Sequence, residues 1–375
     1  MAHYFDHAAT TPMRQVAIDT WVEHTQALNP GGQYTSGRKA NAVLSEAREQ
    51  IAELLGAEPI EVVFTASGTE ADNIGVRGLY RASSLNRVVS TEIEHPAVLE
   101  TVKSLAAIEG AHVDYLPATA TGHVSDLAAL DSPAAVATCM WANNETGAIQ
   151  PVDRIVAKAN EQGTPVHIDA VQVVGRVPIN FGELGATTMA MSAHKFGGPR
   201  SAGILLAKRS PVPEAVILGG GQQRGIRSGT VDVASAAATA AALSEAVTEM
   251  DQEVVLLREL RDDLVARVRA KVDDVIVTTT EPALPGHAHF MFPGASGESM
   301  IMLLDSLGIE ASTGSACHSG VNRMSHVLDA MGVDERTGMG ALRLTLGRTT
   351  TSADVEFLIE NIAEVVRKAR IAGGL

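Results

Sequence analysis

Residues 186–198 read Ala-Thr-Thr-Met-Ala-Met-Ser-Ala-His-Lys-Phe-Gly-Gly, and this stretch decides how the rest of the chain is interpreted. Its first residues, 186–190, are typical of a buried strand, and Lys195 follows in a loop that ends in two glycines. A lysine at such a transition can form a Schiff base with a carbonyl compound if desolvation or a neighbouring cation lowers its pKa. A solvated loop lysine is the common alternative, and the residues upstream decide between the two.

Short apolar strands alternate with loops and amphipathic helices along the first part of the chain. This alternation predicts a mainly parallel α/β sheet. Ligands of such sheets bind beyond the carboxyl ends of the strands. Polar residues stand at three of these predicted ends: Asn143-Asn144-Glu145, then Asp169 with Gln172, and then Lys195. We therefore expect a ligand site at this edge of the sheet.

The pattern changes after the prolines at 211 and 213. A long helical region is predicted over residues 233–272, with a bend near Met250, and beyond it helices mix with strands that look antiparallel. We expect two domains. The first is a large α/β domain over residues 14–250, and the second is a smaller α+β domain built from residues 1–13 and 251–375.

Composition narrows the class of protein. Among 375 residues, 45% are hydrophobic and 19% charged, which is typical of a globular enzyme. A net charge of -15 argues against a general surface for nucleic acid or anionic membrane. Two cysteines, Cys139 and Cys317, provide neither a disulfide framework nor the spacing of a zinc site. With no apolar run that could span a bilayer and no secretory signal, we expect a cytoplasmic protein.

The polar residues match the needs of pyridoxal 5′-phosphate (PLP). This cofactor requires a lysine, a carboxylate at its ring nitrogen, donors to its 3′-oxygen, a partner stacked on the ring and a cup for its phosphate. The chain supplies Gly68, Thr69, Ser192 and His194 for the cup, His95 for the ring face, Asn144 and Gln172 for the 3′-oxygen, Asp169 for the ring nitrogen and Lys195 for attachment.

Each of these residues also has an ordinary structural explanation. Asp169 alone would be a helix N-cap. His95 alone would be an N-terminal helix residue, and Asn144 and Gln172 would be turn and surface residues. Their clustering at strand ends favours the cofactor site.

Nine motifs occur in one order: residues 4–12, 69–73, 94–95, 143–147, 167–172, 192–195, 227–230, 312–317 and 342–348. On these motifs the sequence resembles the cysteine desulfurases that supply sulfur for iron–sulfur clusters and thiolated tRNA. These are fold-type I PLP enzymes of the class V aminotransferase branch. The resemblance implies a seven-stranded, mainly parallel sheet in a PLP-dependent transferase.

The resemblance also implies roles for residues outside the strand ends. Thr230 would reach the phosphate of the other subunit of a homodimer, and Asn29 and Arg343 would bind the substrate carboxylate. His95 would assist proton transfers. The partners would be L-cysteine and a sulfur-acceptor protein, either an iron–sulfur scaffold or a tRNA-thiolation enzyme.

Cys317 distinguishes a desulfurase from other PLP enzymes. It lies in a run of small polar residues, 312–320, which predicts a mobile loop suited to a travelling thiolate. Cys139, by contrast, lies in an apolar strand and is interpreted as a core residue. We predict that L-cysteine becomes L-alanine, that Lys195 removes the α-proton, and that the sulfur is carried as a persulfide on Cys317.

Two other interpretations stay open at this point. A small-amino-acid aminotransferase or a β-lyase would share the cofactor residues and have no use for Cys317. A non-catalytic scaffold would not need an intact Lys195. Two positions depart from the family pattern: Tyr34 stands where histidine is usual, and His318 stands where threonine is common.

Overall fold

The computed structural model describes residues 2–314 and 323–373. Its strands are, in chain order, β1 (His3–Tyr4), β2 (Val62–Thr65), β3 (Arg87–Thr91), β4 (His112–Leu116), β5 (Val136–Met140), β6 (Val166–Asp169), β7 (Thr188–Ser192), β8 (Gly203–Ala207), β9 (Ile276–Val277), β10 (His287–Met291), β11 (Ile309–Glu310) and β12 (Ala341–Thr345).

The helices include two in the region 233–272, where a long helical region is predicted. The helices of the described residues are, in chain order, α1 (Gln15–His24), α2 (Thr35–Leu55), α3 (Gly68–Arg81), α4 (Pro96–Glu109), α5 (Val152–Glu161), α6 (Phe181–Leu184), α7 (Val233–Thr248), α8 (Met250–Lys271), α9 (Gly297–Ser306), α10 (His326–Ala330), α11 (Glu335–Gly338) and α12 (Ser352–Ala372). The bend expected near Met250 lies at Glu249, between α7 and α8.

Seven strands form the central sheet, in the order β2-β8-β7-β6-β5-β3-β4. The pairs among β3, β4, β5, β6 and β7 are parallel, which confirms the predicted fold class. Strand β8 is antiparallel to both β2 and β7. The physical reason is the short connection over residues 193–202, because a parallel return needs a crossover of a dozen or more residues. Strand β8 is not among the strands that the sequence predicts.

A second sheet has the order β12-β10-β9 and is antiparallel, while β1 pairs parallel with β11. The apolar cluster beneath these strands combines Phe5 with side chains between Leu257 and Ala369. Both chain ends therefore contribute to this part of the molecule. The domain division at residues 250 and 251 itself stays a prediction.

The carboxyl ends of β5, β6 and β7 point to one edge of the central sheet, where α3 and α4 also begin. Over the described residues, no helix combines the length and apolar character needed to cross a bilayer.

Candidate active site

Lys195 ends a single helical turn, Ala193–Lys195, directly after β7. Its ammonium donates to the carbonyl oxygens of Ala8, at 2.5 Å, and Ala9, at 2.9 Å. Burial, and then the positive charge of Arg343, lower the pKa of Lys195 to about 8. The predicted lysine thus carries a neutral amine far more often than a solvated lysine does.

One end of a 240 Å³ cavity beside Lys195 is formed by the start of α3. Ser67 caps this helix by accepting from the Glu70 N–H at 3.0 Å, so the first N–H groups of the helix remain available to an anion. A Cβ added at Gly68 would lie 2.9 Å from Val171 Cγ2 and 3.0 Å from Ser192 Cβ. Glycine is therefore required here to keep the cavity open.

His194 lies at the same end of the cavity, with Nδ1 at 3.1 Å from Thr10 Oγ1. Burial and the nearby Lys195 lower the pKa of His194 to about 4, so its ring is neutral near pH 7. A neutral ring can still donate one hydrogen bond to a phosphate.

The cavity also has acidic side chains in its wall. Asp169 ends β6 and accepts from the Val171 N–H at 2.9 Å with one carboxyl oxygen. Burial, and then the nearby Asp72, raise the pKa of Asp169 to about 7. A carboxyl group in this state would ionise readily beside a cation, because the cation offsets the desolvation cost.

His95 stands at the N-cap of α4, and its Nδ1 accepts from the Ala97 N–H at 3.1 Å. Desolvation, together with the charges of Lys195 and His326, lowers the pKa of His95 to about 4. Its ring is therefore neutral, and Nε2 carries the proton because Nδ1 is an acceptor. Asn144 lines the same cavity.

Gln172 also lines this cavity, and its Nε2 donates to the Ala8 carbonyl at 3.1 Å. The residues present fit PLP. The opening kept by Gly68 suits a phosphate, the buried Asp169 suits a ring nitrogen, and the desolvated amine of Lys195 suits covalent attachment.

A larger cavity of 640 Å³ adjoins the first and shares His95, Asn144, Gln172 and Lys195 with it. Arg343 on β12 lines this cavity and is 4% exposed. Its guanidinium donates to the Asn144 carbonyl at 2.8 Å and to Asp6 Oδ1 at 2.6 Å. Within the described residues its Nε has no partner, so it still has a donor to offer a substrate carboxylate.

Two predicted residues lie elsewhere. Asn29 is exposed, and its Oδ1 accepts from the Gly31 N–H at 2.9 Å. Thr230 is exposed, and neither residue lines the two cavities of its own chain. Tyr34 precedes α2 and is 58% exposed. Cys317 and His318 lie outside the described residues.

Two acidic residues of the site have no role in the sequence analysis. Asp72 lines the smaller cavity, and Asp6 lines the larger one and pairs with Arg343. A signal for Asp72 was present, because it lies one helical turn after Thr69 and so shares its face of α3. No local signal joins Asp6 to Arg343, since their contact spans nearly the whole chain.

Comparisons with known proteins give the family. The profile described as "Aminotransferase class-V" matches residues 3–358. A curated relative from Mycobacterium tuberculosis, "IscS-like cysteine desulfurase", is 47% identical, over 98% of this chain and 97% of the relative.

Solved structures agree. A "NIFS-LIKE PROTEIN" superposes with a TM-score of 0.90 at 32% identity, covering 98% of this chain and 100% of the other. The structure titled "SspA in complex with cysteine" has a TM-score of 0.80 at 26% identity, covering 93% and 99%. The chain therefore belongs to the class V aminotransferase family of PLP-dependent enzymes, among its IscS-like and NifS-like cysteine desulfurases.

Proposed function

We infer that this protein is a cysteine desulfurase. It converts L-cysteine to L-alanine and passes the sulfur to Cys317 as a persulfide. The reaction balances without an external oxidant, because L-cysteine and the Cys317 thiol together give L-alanine and the persulfide. The carbon–sulfur bond of the substrate breaks, and a sulfur–sulfur bond to Cys317 Sγ forms.

The observation that carries this proposal is the junction of the two cavities at Lys195. The smaller cavity has the groups that PLP needs, and the larger one offers Arg343 to a substrate carboxylate. An amino acid bound by Arg343 would thus present its α-carbon beside the cofactor. An aminotransferase or β-lyase is the weaker interpretation, because near full-length relatives are desulfurases and the chain has Cys317 within the matching 312–317 motif.

Roles follow from the chemistry of each side chain. When bound, PLP supplies an electron sink for the charge that develops as a bond to the substrate α-carbon breaks. We propose that Gly68, Thr69, Ser192 and His194 hold its phosphate, Asn144 and Gln172 its 3′-oxygen, and Asp169 its ring nitrogen.

Proton transfer falls to two residues. Lys195 Nζ takes the proton from the substrate α-carbon, which its lowered pKa favours near neutral pH. We propose that the ring of His95 would lie against the cofactor, since it lines the same cavity. Its pKa is about 4, so the ring is neutral near pH 7 and has an Nε2–H to donate to the substrate, which is the part in proton transfer that we propose for it.

We also propose a homodimer in which Thr230 reaches the phosphate site of the partner subunit. Its exposure, away from both cavities of its own chain, is consistent with that role. The apolar side chains of Ile18, Trp21 and Val22 are between 37% and 59% exposed and share one face of α1. Such a face is typical of a subunit interface. Asn29 would join Arg343 in binding the substrate carboxylate.

The sulfur acceptor would be a protein of iron–sulfur cluster assembly, or of tRNA thiolation, in the cytoplasm. Support comes from relatives whose names carry the IscS designation. The acidic net charge of -15 makes direct binding to nucleic acid an unfavourable alternative.

The test measures alanine and sulfide release from L-cysteine in the presence of a thiol reductant. We expect the parent to release both and Cys317→Ala to lose at least about a hundredfold in rate, because the sulfur has no acceptor. The variant should keep the yellow colour of bound PLP. Cys139→Ala is the matched control and should keep the parent's rate, since Cys139 is buried in β5. Equal alanine release by parent and Cys317→Ala would reassign the protein as a lyase.

A further inference from the structure

Two carboxyl groups face the cofactor cavity. Asp169 ends β6 and Asp72 lies on α3, and they are 5% and 1% exposed. The proposed function gives a role to Asp169 alone. A second buried carboxyl group costs free energy unless a partner compensates it, so its presence requires a physical explanation.

Asp72 belongs to a buried polar column between the sheet and α3. His167, two residues before Asp169 on β6, projects from the same face of the sheet. Its Nε2 is 3.2 Å from Asp72 Oδ1, and its Nδ1 is 2.9 Å from the Thr188 hydroxyl on β7. A Cβ at Gly75 would lie only 2.2 Å from His167 Nδ1. Helix α3 therefore leaves room for this ring.

The hydrogen-bond partners decide which atom donates and which accepts along this column. Burial lowers the pKa of His167 to about 4, so the ring is neutral and carries one N–H. Among the described residues, the buried Thr188 hydroxyl bonds to His167 Nδ1 and to nothing else. A proton on Nδ1 would leave the hydroxyl proton buried and unpaired, which is unfavourable. Thr188 therefore donates to Nδ1, and Nε2–H donates to Asp72 Oδ1.

We propose that Thr188, His167 and Asp72 form a positioning relay that fixes Asp72 as a second acid of the cofactor site, poised to stabilise positive charge on the PLP ring together with Asp169. Because Oδ1 accepts from His167, the other oxygen of Asp72 is the one that carries either the proton or the charge. Burial raises the pKa of Asp72 to about 8 in the chain alone. A cationic ring in the cavity would offset that cost and draw Asp72 into its ionised form.

The relay rests on the proposed function in one respect, which is that the cavity binds PLP. Its test uses two ligands of nearly the same shape. PLP can carry a proton on its ring nitrogen, whereas 1-deazapyridoxal 5′-phosphate has a carbon at that position and cannot. Each is titrated into the cofactor-free full-length protein, and the dissociation constant is read from the absorbance of the bound ligand.

We expect Asp72→Asn to weaken PLP binding about tenfold, the size of a charge interaction at partly screened short range. Binding of the deaza analogue should change by less than about twofold, because it has no ring charge to stabilise. A loss of equal size for both ligands would overturn the inference, since it would make Asp72 a packing residue. Unchanged PLP binding would overturn it too.

A second pair of variants tests the relay without touching either acid. His167→Gln keeps an N–H within reach of Asp72 and should bind PLP as the parent does. His167→Leu removes that N–H, so it should bind PLP more weakly and bind the deaza analogue as the parent does. Equal dissociation constants for PLP in the two variants would contradict the relay. This comparison does not depend on whether Asp72→Asn folds. Failure of the unmodified protein to bind PLP would instead refute the proposed function.

Discussion

Among the described residues, main-chain oxygens hold Lys195, and no acidic side chain accepts from it. The carbonyls of Ala8 and Ala9 accept from its ammonium, and a carbonyl stabilises the charge less than a carboxylate does. Desolvation therefore dominates, and the pKa falls to about 8. A lysine that must act as a nucleophile and then as a base benefits from this weak hold.

The lowered pKa of Lys195 predicts how the cofactor-free protein takes up PLP. Attachment requires the neutral amine, so the uptake rate should rise with pH and level off above about pH 8. A solvated lysine would keep gaining rate towards pH 10.5. Absorbance after mixing with PLP, followed at several pH values, measures this profile.

Arg343 provides the control, because its positive charge contributes to the lowered pKa of Lys195. Arg343→Met should move the plateau to higher pH. A parent rate that continues to climb between about pH 9 and 10 would show that Lys195 has an ordinary pKa.

At the scale of elements, Arg14 joins the start of α1 to two other parts of the molecule. It is 3% exposed, and its Nη1 and Nη2 donate to Glu249 at 2.5 Å and to Glu253 at 2.9 Å. Its Nε donates to the Phe196 carbonyl at 3.0 Å, in the turn that follows Lys195. The α7–α8 junction thus supports the lysine turn through one guanidinium.

Removing that guanidinium should be costly. We expect Arg14→Leu to lower the free energy of unfolding by about 2 kcal/mol, because the buried Phe196 carbonyl loses its donor, whereas Glu249 is 44% exposed and Glu253 still pairs with Arg176. Chemical denaturation of parent and variant measures the difference. The matched control is Arg267→Leu, whose partner Glu356 lies 2.7 Å away on the surface and should contribute little. Similar losses of unfolding free energy in both variants would show that the contacts of Arg14 contribute no more than an exposed ion pair does.

The elements themselves were largely predictable, because hydrophobic periodicity is a local property. The long helical region predicted over residues 233–272 is present as α7 and α8, and the bend expected near Met250 lies at Glu249. Strand β8 was missed because Gly203–Ala207 is a continuous apolar run without alternation, which periodicity cannot assign.

The candidate site was predictable where its residues stand at strand ends, as Asp169 and Lys195 do. Partners that are distant in sequence were not. The carbonyls of Ala8 and Ala9 that reach Lys195 are supported by β12, where Thr345 Oγ1 accepts from the Ala8 N–H at 2.9 Å. Nothing local in the sequence encodes that contact.

At the scale of the whole molecule, buried histidines and buried acids have opposite effects on how stability changes with pH. Burial lowers the pKa of six histidines to about 3 or 4: His7, His95, His167, His194, His287 and His289. The unfolded chain binds protons at these sites below about pH 6.5 and the folded chain does not, so acid destabilises the fold.

Four buried acids act in the other direction, because their pKa values are raised: Asp72, Glu94, Glu145 and Asp169. Asp72 and Asp169, at about 8 and 7, hold protons in the folded chain that the unfolded chain has already lost. Their contribution to stability therefore falls as the pH rises above about 4, and the fall is complete once the pH has passed 7 to 8.

Together these groups predict a stability maximum for the cofactor-free protein near pH 6, with a fall on either side. Thermal denaturation from about pH 4.5 to pH 9 would locate it. Bound PLP should reduce the loss of stability above pH 6, since a cationic ring would give Asp169 a partner. A melting temperature that rises steadily to pH 9 would contradict this balance.

The pairing of β1 with β11 and of residues 5–8 with β12 has a consequence for biosynthesis. A ribosome adds roughly 5–20 residues per second, so at least about 20 s separate the making of Ala8 from that of Thr345. Until then the Ala8 N–H lacks its Thr345 partner, so the carbonyls that hold the Lys195 ammonium lack the support of β12. We therefore expect PLP to bind only once translation is nearly complete. A ribosome-bound chain that ends before Thr345 should contain no PLP.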